Sequence, residues 1–155
     1  MQRVVLALLL AFAAPADAAA AEVRGYALID DDATLRVDGQ RLRLAGVLVP
    51  DSGYFCDRVA LPSRCAPRAA LALEGFVRHF VVCQGGRRLA DGTTEAVCRQ
   101  RVSIAAEVDL GAWLIEQGWA LAAPEAPPLY AGLERLARHR RVGLWGTMVD
   151  DVRRR

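Results

Sequence analysis

Asp38-Gly39 lies between two short segments that alternate apolar and polar residues, and this pattern constrains the fold more than any other feature of the chain. Both positions tolerate positive φ, so the dipeptide marks a two-residue hairpin turn. Thr34 to Val37 reads as the incoming strand and Gln40 to Val47 as the outgoing one. In the outgoing strand Arg41 and Arg43 point to one side, and Leu42 and Leu44 to the other. Gly25 to Ile29 reads as an earlier strand, set off by the polar break Asp30-Asp31-Asp32. The alternation therefore predicts a three-stranded meander.

The pattern then changes. Val49-Pro50-Asp51-Ser52-Gly53 ends the sheet, and Pro67 fits the first position of a helix that continues through Ala69 to Val77. Leu73, Phe76 and Val77 fall on one face of it. His79 to Cys83 reads as a fourth strand, Gln84 to Thr94 as a loop, and Glu95 to Ile104 as a fifth strand. Asp109 is suited to cap a helix over Leu110 to Gln117 that stops at Gly118. Trp119-Ala120-Leu121 is a short apolar return, and Tyr130 to Arg141 a final helix with Leu133, Leu136 and Ala137 on its apolar stripe. Five strands, one helix after the third and more at the end predict an α+β chain built on an OB-type five-stranded β-barrel with about three helices.

The start of the chain has another character. Met1-Gln2-Arg3 is positively charged, Val4 to Ala14 is apolar, and small residues follow in an A-x-A pattern. That is the layout of a secretory signal peptide over 1–20, and the run is short for a span of hydrocarbon. The expected division is a domain over 21–148 and a basic tail over 149–155, with a periplasmic or secreted destination and no membrane attachment after cleavage. In an oxidising compartment four cysteines suggest disulfides, with Cys56–Cys65 and Cys83–Cys98 the natural pairing of three possible. There is no C-x-x-C spacing, which argues against zinc.

The formal net charge is +2, and all 20 basic side chains are arginines. That charge is too small to argue for nucleic acid by itself. Local clusters at Arg135 to Arg141 and Arg153-Arg154-Arg155 usually mark solvated faces. Arginine nevertheless grips phosphate with a planar fork that lysine lacks.

Four stretches now align with one known family. Leu28-Ile29-Asp30-Asp31-Asp32 resembles the first acidic turn of the thermonuclease (staphylococcal-nuclease-like) family. Arg41-Leu42-Arg43-Leu44-Ala45-Gly46-Val47, followed by Pro50-Asp51, resembles its xRLxGIDxPE stretch. Asp109 to Ala120 resembles its DLxxWLVxxGxA helix, and Ala137 to Trp145 its closing ARxxRxGLW. The match runs from about Gly25 to Gly146 in the family's order. Most of the matched residues are structural in kind, and Trp113, Trp119 and Trp145 read as core residues rather than stacking platforms.

The resemblance implies Ca²⁺-dependent phosphodiester hydrolysis of DNA or RNA, using one calcium ion, two arginines and a carboxylate. Calcium wants several oxygen ligands, and arginines stabilise charge growing on phosphoryl oxygens. Arg43 matches the first arginine. Asp32 matches a metal-binding aspartate, with Asp30 two residues away on the same side of an extended backbone; the plainer reading is a polar turn of three acids. Asp51 stands where the family has its catalytic glutamate, one methylene shorter. Leu48 stands where the family has a second metal-binding aspartate, and it cannot ligate calcium. The second arginine has no direct match. Cysteine spacing puts Thr93 in its place, while counting back from Asp109 puts Cys98 there with Arg99 beside it. Arg99 is the candidate carried forward, with Arg87, Arg88 and Arg101 as alternatives. The competing reading is a catalytically impaired homologue: a monomeric OB module that holds single-stranded DNA or RNA, or a protein, without cutting. With 6% aromatic residues, a strong base-stacking groove is not expected.

Overall fold

The structure is a computed structural model and describes residues 22–50, 65–78 and 80–147. In chain order its elements are β1 (Glu22–Gly25), β2 (Ala27–Ile29), β3 (Leu35–Val37), β4 (Gln40–Leu44), β5 (Val47–Leu48), α1 (Cys65–Phe76), β6 (Val81–Arg88), β7 (Thr94–Ser103), β8 (Ala106–Asp109), α2 (Leu110–Glu116), β9 (Leu121–Ala122), α3 (Pro128–Arg140) and the one-turn α4 (Leu144–Thr147). The class is mixed α+β.

The main sheet runs in the order β1-β6-β7-β4-β3-β2, with β8 paired to β7. Only Tyr26 separates β1 from β2. β1 pairs with β6 and β2 with β3, so one bent segment joins both ends of the sheet. The result is a nearly closed, OB-like barrel, which leaves few free strand edges. β2, β3 and β4 form the expected meander, with Val37 opposite Gln40 across the Asp38-Gly39 turn. Both turn residues have positive φ (49° and 73°), as a type I′ hairpin requires. β4 and β7 run parallel, pairing Leu42 with Thr94, Arg43 with Glu95 and Leu44 with Ala96.

Alternation along each strand builds the interior. Leu35, Val37, Leu42, Val81, Cys83, Ala96 and Cys98 face inward and are almost wholly buried. Leu73 of α1 and Leu110, Leu114 and Ile115 of α2 join them in one core. Each large aliphatic side chain so buried contributes roughly 1.5–3 kcal/mol. Phe76 stacks on Trp113 at 4.1 Å, which ties α1 to α2. The buried Gln100 closes the far end of α1: its Oε1 accepts the Arg78 N–H (2.9 Å), and its Nε2 donates to the Phe76 carbonyl (3.3 Å). Asp109 caps α2, accepting N–H bonds from Gly111 and Ala112, and the Tyr130 hydroxyl of α3 donates to the same carboxylate oxygen at 2.9 Å.

Several boundaries differ from the sequence reading. β6 continues to Arg88, so the expected loop over Gln84 to Thr94 contracts to the turn between Arg88 and Thr94. Gly85 and Gly86 gave no alternation to read, yet β7 pairs with Gly85 and Arg88, and that ladder shifts register between them. The described part of that strand begins at Val81, and His79 lies outside the described residues. Pro67 is the third residue of α1 rather than its first, a place still inside the turn that needs no N–H. α3 begins two residues before Tyr130, at Pro128. β8 and the β5–β9 ladder were missed because each is short and is specified by its partner. Cys83 and Cys98 are bonded directly across β6 and β7. Cys56 lies outside the described residues, and with it the Cys56–Cys65 expectation. No helix among the described residues is long and apolar enough to cross a membrane.

Candidate functional site

The turn from Asp30 to Thr34 is tight. The Asp30 N–H donates to the Thr34 carbonyl and the Ala33 N–H to the Asp30 carbonyl, both at 2.8 Å. Ala33 takes a left-handed φ of 62° and turns its methyl inward. This geometry carries Asp32 to the rim of a cavity of about 280 Å³, lined also by Arg43, Leu44, Val47, Leu48 and Val49. β4 alternation supplies Arg43, because burial of Leu42 and Leu44 forces the residue between them outward. Asp32, Arg43 and Leu48, far apart in role by sequence, thus share one wall.

Asp32 keeps its charge readily. Burial alone would raise its pKa, but hydrogen bonds from Thr34 and the charges of Arg41 and Arg43 outweigh that and hold it below the ordinary carboxylate value. Its Oδ1 accepts the Thr34 N–H at 2.9 Å. Asp30 does not line the same cavity. It lines an adjoining open depression together with Asp31 and Asp32, where Arg36 holds it at 2.6 Å and Arg41 approaches both Asp30 and Asp32 to 3.8 Å. Asp51 lies outside the described residues.

The partner of Arg43 is an acid. Its Nη2 lies 3.0 Å from Asp91 Oδ2. The other oxygen of Asp91 accepts from the Thr93 hydroxyl (2.6 Å) and N–H (3.0 Å). Those bonds, with the charges of Arg43 and Arg41, hold the Asp91 carboxyl below its usual range. Thr93, where cysteine spacing places the second arginine, is wholly buried and serves to fix Asp91. Cys98, the other position for it, faces the core in a disulfide.

Arg99 is on the outer face of β7, four residues beyond Glu95, the cross-strand partner of Arg43. That is about 13 Å along the strand. It sits opposite Asp109 of β8 and near Tyr130, whose hydroxyl is pushed well above the phenol range by burial, with the charge and hydrogen bond of Asp109 adding to it. Arg87 is engaged by Glu95 at 3.0 Å and Arg101 by Glu107 at 3.4 Å. Arg88 lines a separate groove with Arg41 and Asp91. Sequence reasoning missed Asp91; its Asp91-Gly92 pair was a readable turn signal, but only the parallel β4–β7 pairing puts that turn beside Arg43.

The fit to calcium is poor among the described residues. Asp32 is the one carboxylate on the described wall of the cavity, Leu48 fills part of the remainder, and no group of three His, Cys, Asp or Glu side chains is placed to hold a metal. Calcium asks for six or more oxygens. What the wall does offer is a fork-shaped cation facing a small concave space, bordered by one ionised carboxylate.

No family model matches the chain. It is similar to the succinoglycan biosynthesis protein ExoI of Rhizobium meliloti (strain 1021), at 30% identity over 148 residues that cover 92% of this chain and 75% of the relative. By that extent of likeness, the chain belongs to the same family as the succinoglycan biosynthesis protein ExoI.

Proposed function

We propose that this protein is a thermonuclease-like OB barrel that works outside the cytoplasm, holds single-stranded nucleic acid by its phosphates, and has lost most of the family's cleaving power. The observation that carries this reading is the pairing of Arg43 with Asp91 beside Asp32. A guanidinium opens on a small cavity, as phosphate recognition needs. Yet the group that meets it is a carboxylate, where hydrolysis would want a second cation. A phosphoryl transition state deprived of one strong electrostatic donor can form orders of magnitude more slowly.

In this reading Arg43 exchanges Asp91 for a phosphate oxygen, and no step runs through calcium. Asp32, ionised at neutral pH, accepts a hydrogen bond from a sugar hydroxyl or water. The Cys83–Cys98 bond suits an oxidising compartment, in keeping with export.

The test is a titration of the purified mature domain against a labelled single-stranded oligonucleotide, with calcium or with chelator, and with products followed on a gel. We expect binding that weakens with salt, survives chelator and falls in Arg43→Ala, with little or no cleavage. Calcium-dependent cleavage abolished by Arg43→Ala would overturn the impaired-enzyme reading, and absence of binding at low salt would overturn the nucleic-acid reading.

A second reading takes the relative's name as its guide and gives the chain a part in polysaccharide biosynthesis. Its support is the likeness over 92% of the chain. Binding of an acidic polysaccharide in place of the oligonucleotide would favour it.

A further inference from the structure

Beyond the Arg43 cavity the same face carries a second concave surface. A groove of about 300 Å³ lies between two hairpin turns, the one at Asp38-Gly39 and the one between β6 and β7. Arg41 and Arg88 line it, with Gly39, Asp91 and Gly92. Arg88 is the last residue of β6 and pairs with Thr94. One ion pair links the two: Asp91 lines the second groove and pairs at 3.0 Å with Arg43, which lines the first.

The charges in this groove are unequally compensated. Most nearby arginines have a close carboxylate: Arg36 has Asp30, Arg43 has Asp91 and Arg87 has Glu95. Arg41 has only loose contacts at 3.8 Å to Asp30 and Asp32. Arg88 has no carboxylate within ion-pair distance among the described residues, and the one acid in its groove is already committed to Arg43 and Thr93. Arg41 and Arg43 are two residues apart on one face of β4, about 7 Å along the strand. An extended chain with regularly spaced phosphates can engage both.

We infer that Arg88 and Arg41 form a second phosphate subsite, so that the ligand is a strand with at least two phosphates, laid from the Arg43 cavity across the β4 edge into the groove between the hairpin turns. This rests on the proposed nucleic-acid reading and adds to it the length and direction of the bound strand. Contacts of this kind reach backbone rather than bases, so the subsite is indifferent to sequence.

The experiment compares wild type, Arg88→Ala, Arg88→Lys and Arg43→Ala in binding a fluorescent ten-nucleotide single strand over a range of salt, with folding checked by circular dichroism. Arg88→Ala should weaken binding by about 3- to 10-fold on every sequence tried and make the slope of log affinity against log salt shallower by about 0.7, the value for one phosphate contact on a single strand. Arg88→Lys should restore most of the slope, since the charge returns. Unchanged affinity and slope in Arg88→Ala, with Arg43→Ala still impaired, overturns the second subsite and leaves the first standing. Absence of strand binding by wild type overturns both. A polyuronate that competes as well as the oligonucleotide at equal charge, with the same loss in Arg88→Ala, overturns the assignment to phosphate.

Discussion

Arg43 on β4 and Asp91 in the β6–β7 turn form an ion pair of 3.0 Å that spans 48 residues of sequence. The carboxylate contacts one amino group of the guanidinium, so under the proposed function an anionic ligand and Asp91 would compete for one cation. Asp91→Asn keeps an acceptor for Thr93 and removes the competing charge. Single-strand affinity at low salt should rise by about threefold or more, as expected for relief of a charge next to phosphate. Unaltered affinity in a binding titration would remove Arg43 from the ligand site.

Asp32 gives a pH signature. Its pKa is below the ordinary 3.8 in the folded protein, so folding favours its charged form. Its contribution to stability is therefore complete above the unfolded value and is lost as pH falls through the lower, folded one. Urea midpoints for wild type and Asp32→Asn should differ more at pH 6 than at pH 2. A carboxyl titration followed by NMR should also move upward in Arg43→Ala, because one of the charges that lowers it is gone.

The Cys83–Cys98 bond closes a loop with a sequence separation of 15 residues, inside the core. In the chain-entropy account such a link contributes about 3 kcal/mol. The double variant Cys83→Ala/Cys98→Ala should lose at least that much in urea unfolding. A loss under about 1 kcal/mol, well short of the ~3 kcal/mol expected for that loop, would show that the paired strands hold this region unaided.

Gly118 and Gly39 both have positive φ, 76° and 73°, but their surroundings differ. A Cβ at Gly118 would lie 2.3 Å from the Val142 carbonyl oxygen, while one at Gly39 meets nothing within 4 Å. Gly39→Ala should cost about 1–2 kcal/mol, the left-handed penalty alone. Gly118→Ala should cost clearly more, since backbone must shift where the end of α2 meets the start of α4. Equal costs in thermal unfolding would mean that this junction yields easily.

The outcome at individual residues shows where the sequence was readable. Asp38-Gly39 announced its turn because the φ demand is local, and the outward Arg41 and Arg43 followed from two buried leucines in alternation. Asp109 was legible as a cap for the same reason: its bonds reach only two and three residues ahead. Gly85 and Gly86 hid the length of β6, because a glycine pair has no pattern and the strand there exists through its neighbours. Asp32 and Arg43 were singled out by resemblance, and the fold brings them to one cavity. Asp30, two residues from Asp32, was expected on the same side; the two line one open depression and share Arg41 at 3.8 Å, while Asp30 also pairs with Arg36 and does not reach the Arg43 cavity. Arg99 was placed by counting, and a count along the chain cannot see that four more residues of strand carry it about 13 Å from the partner of Arg43.

By itself, then, the amino-acid order determined the hairpin, the inward and outward faces of the strands, the Asp109 cap of α2 and the barrel class, because each depends on φ preferences, alternation or contacts within a few residues. Tertiary structure decided which charges meet. The parallel pairing of β4 with β7 sets Arg43 beside Glu95 and brings the Asp91 turn to its guanidinium. It also leaves Arg88 without an acid of its own among the described residues. Pairings across such sequence distance are set by strand order and register, and no local propensity encodes them.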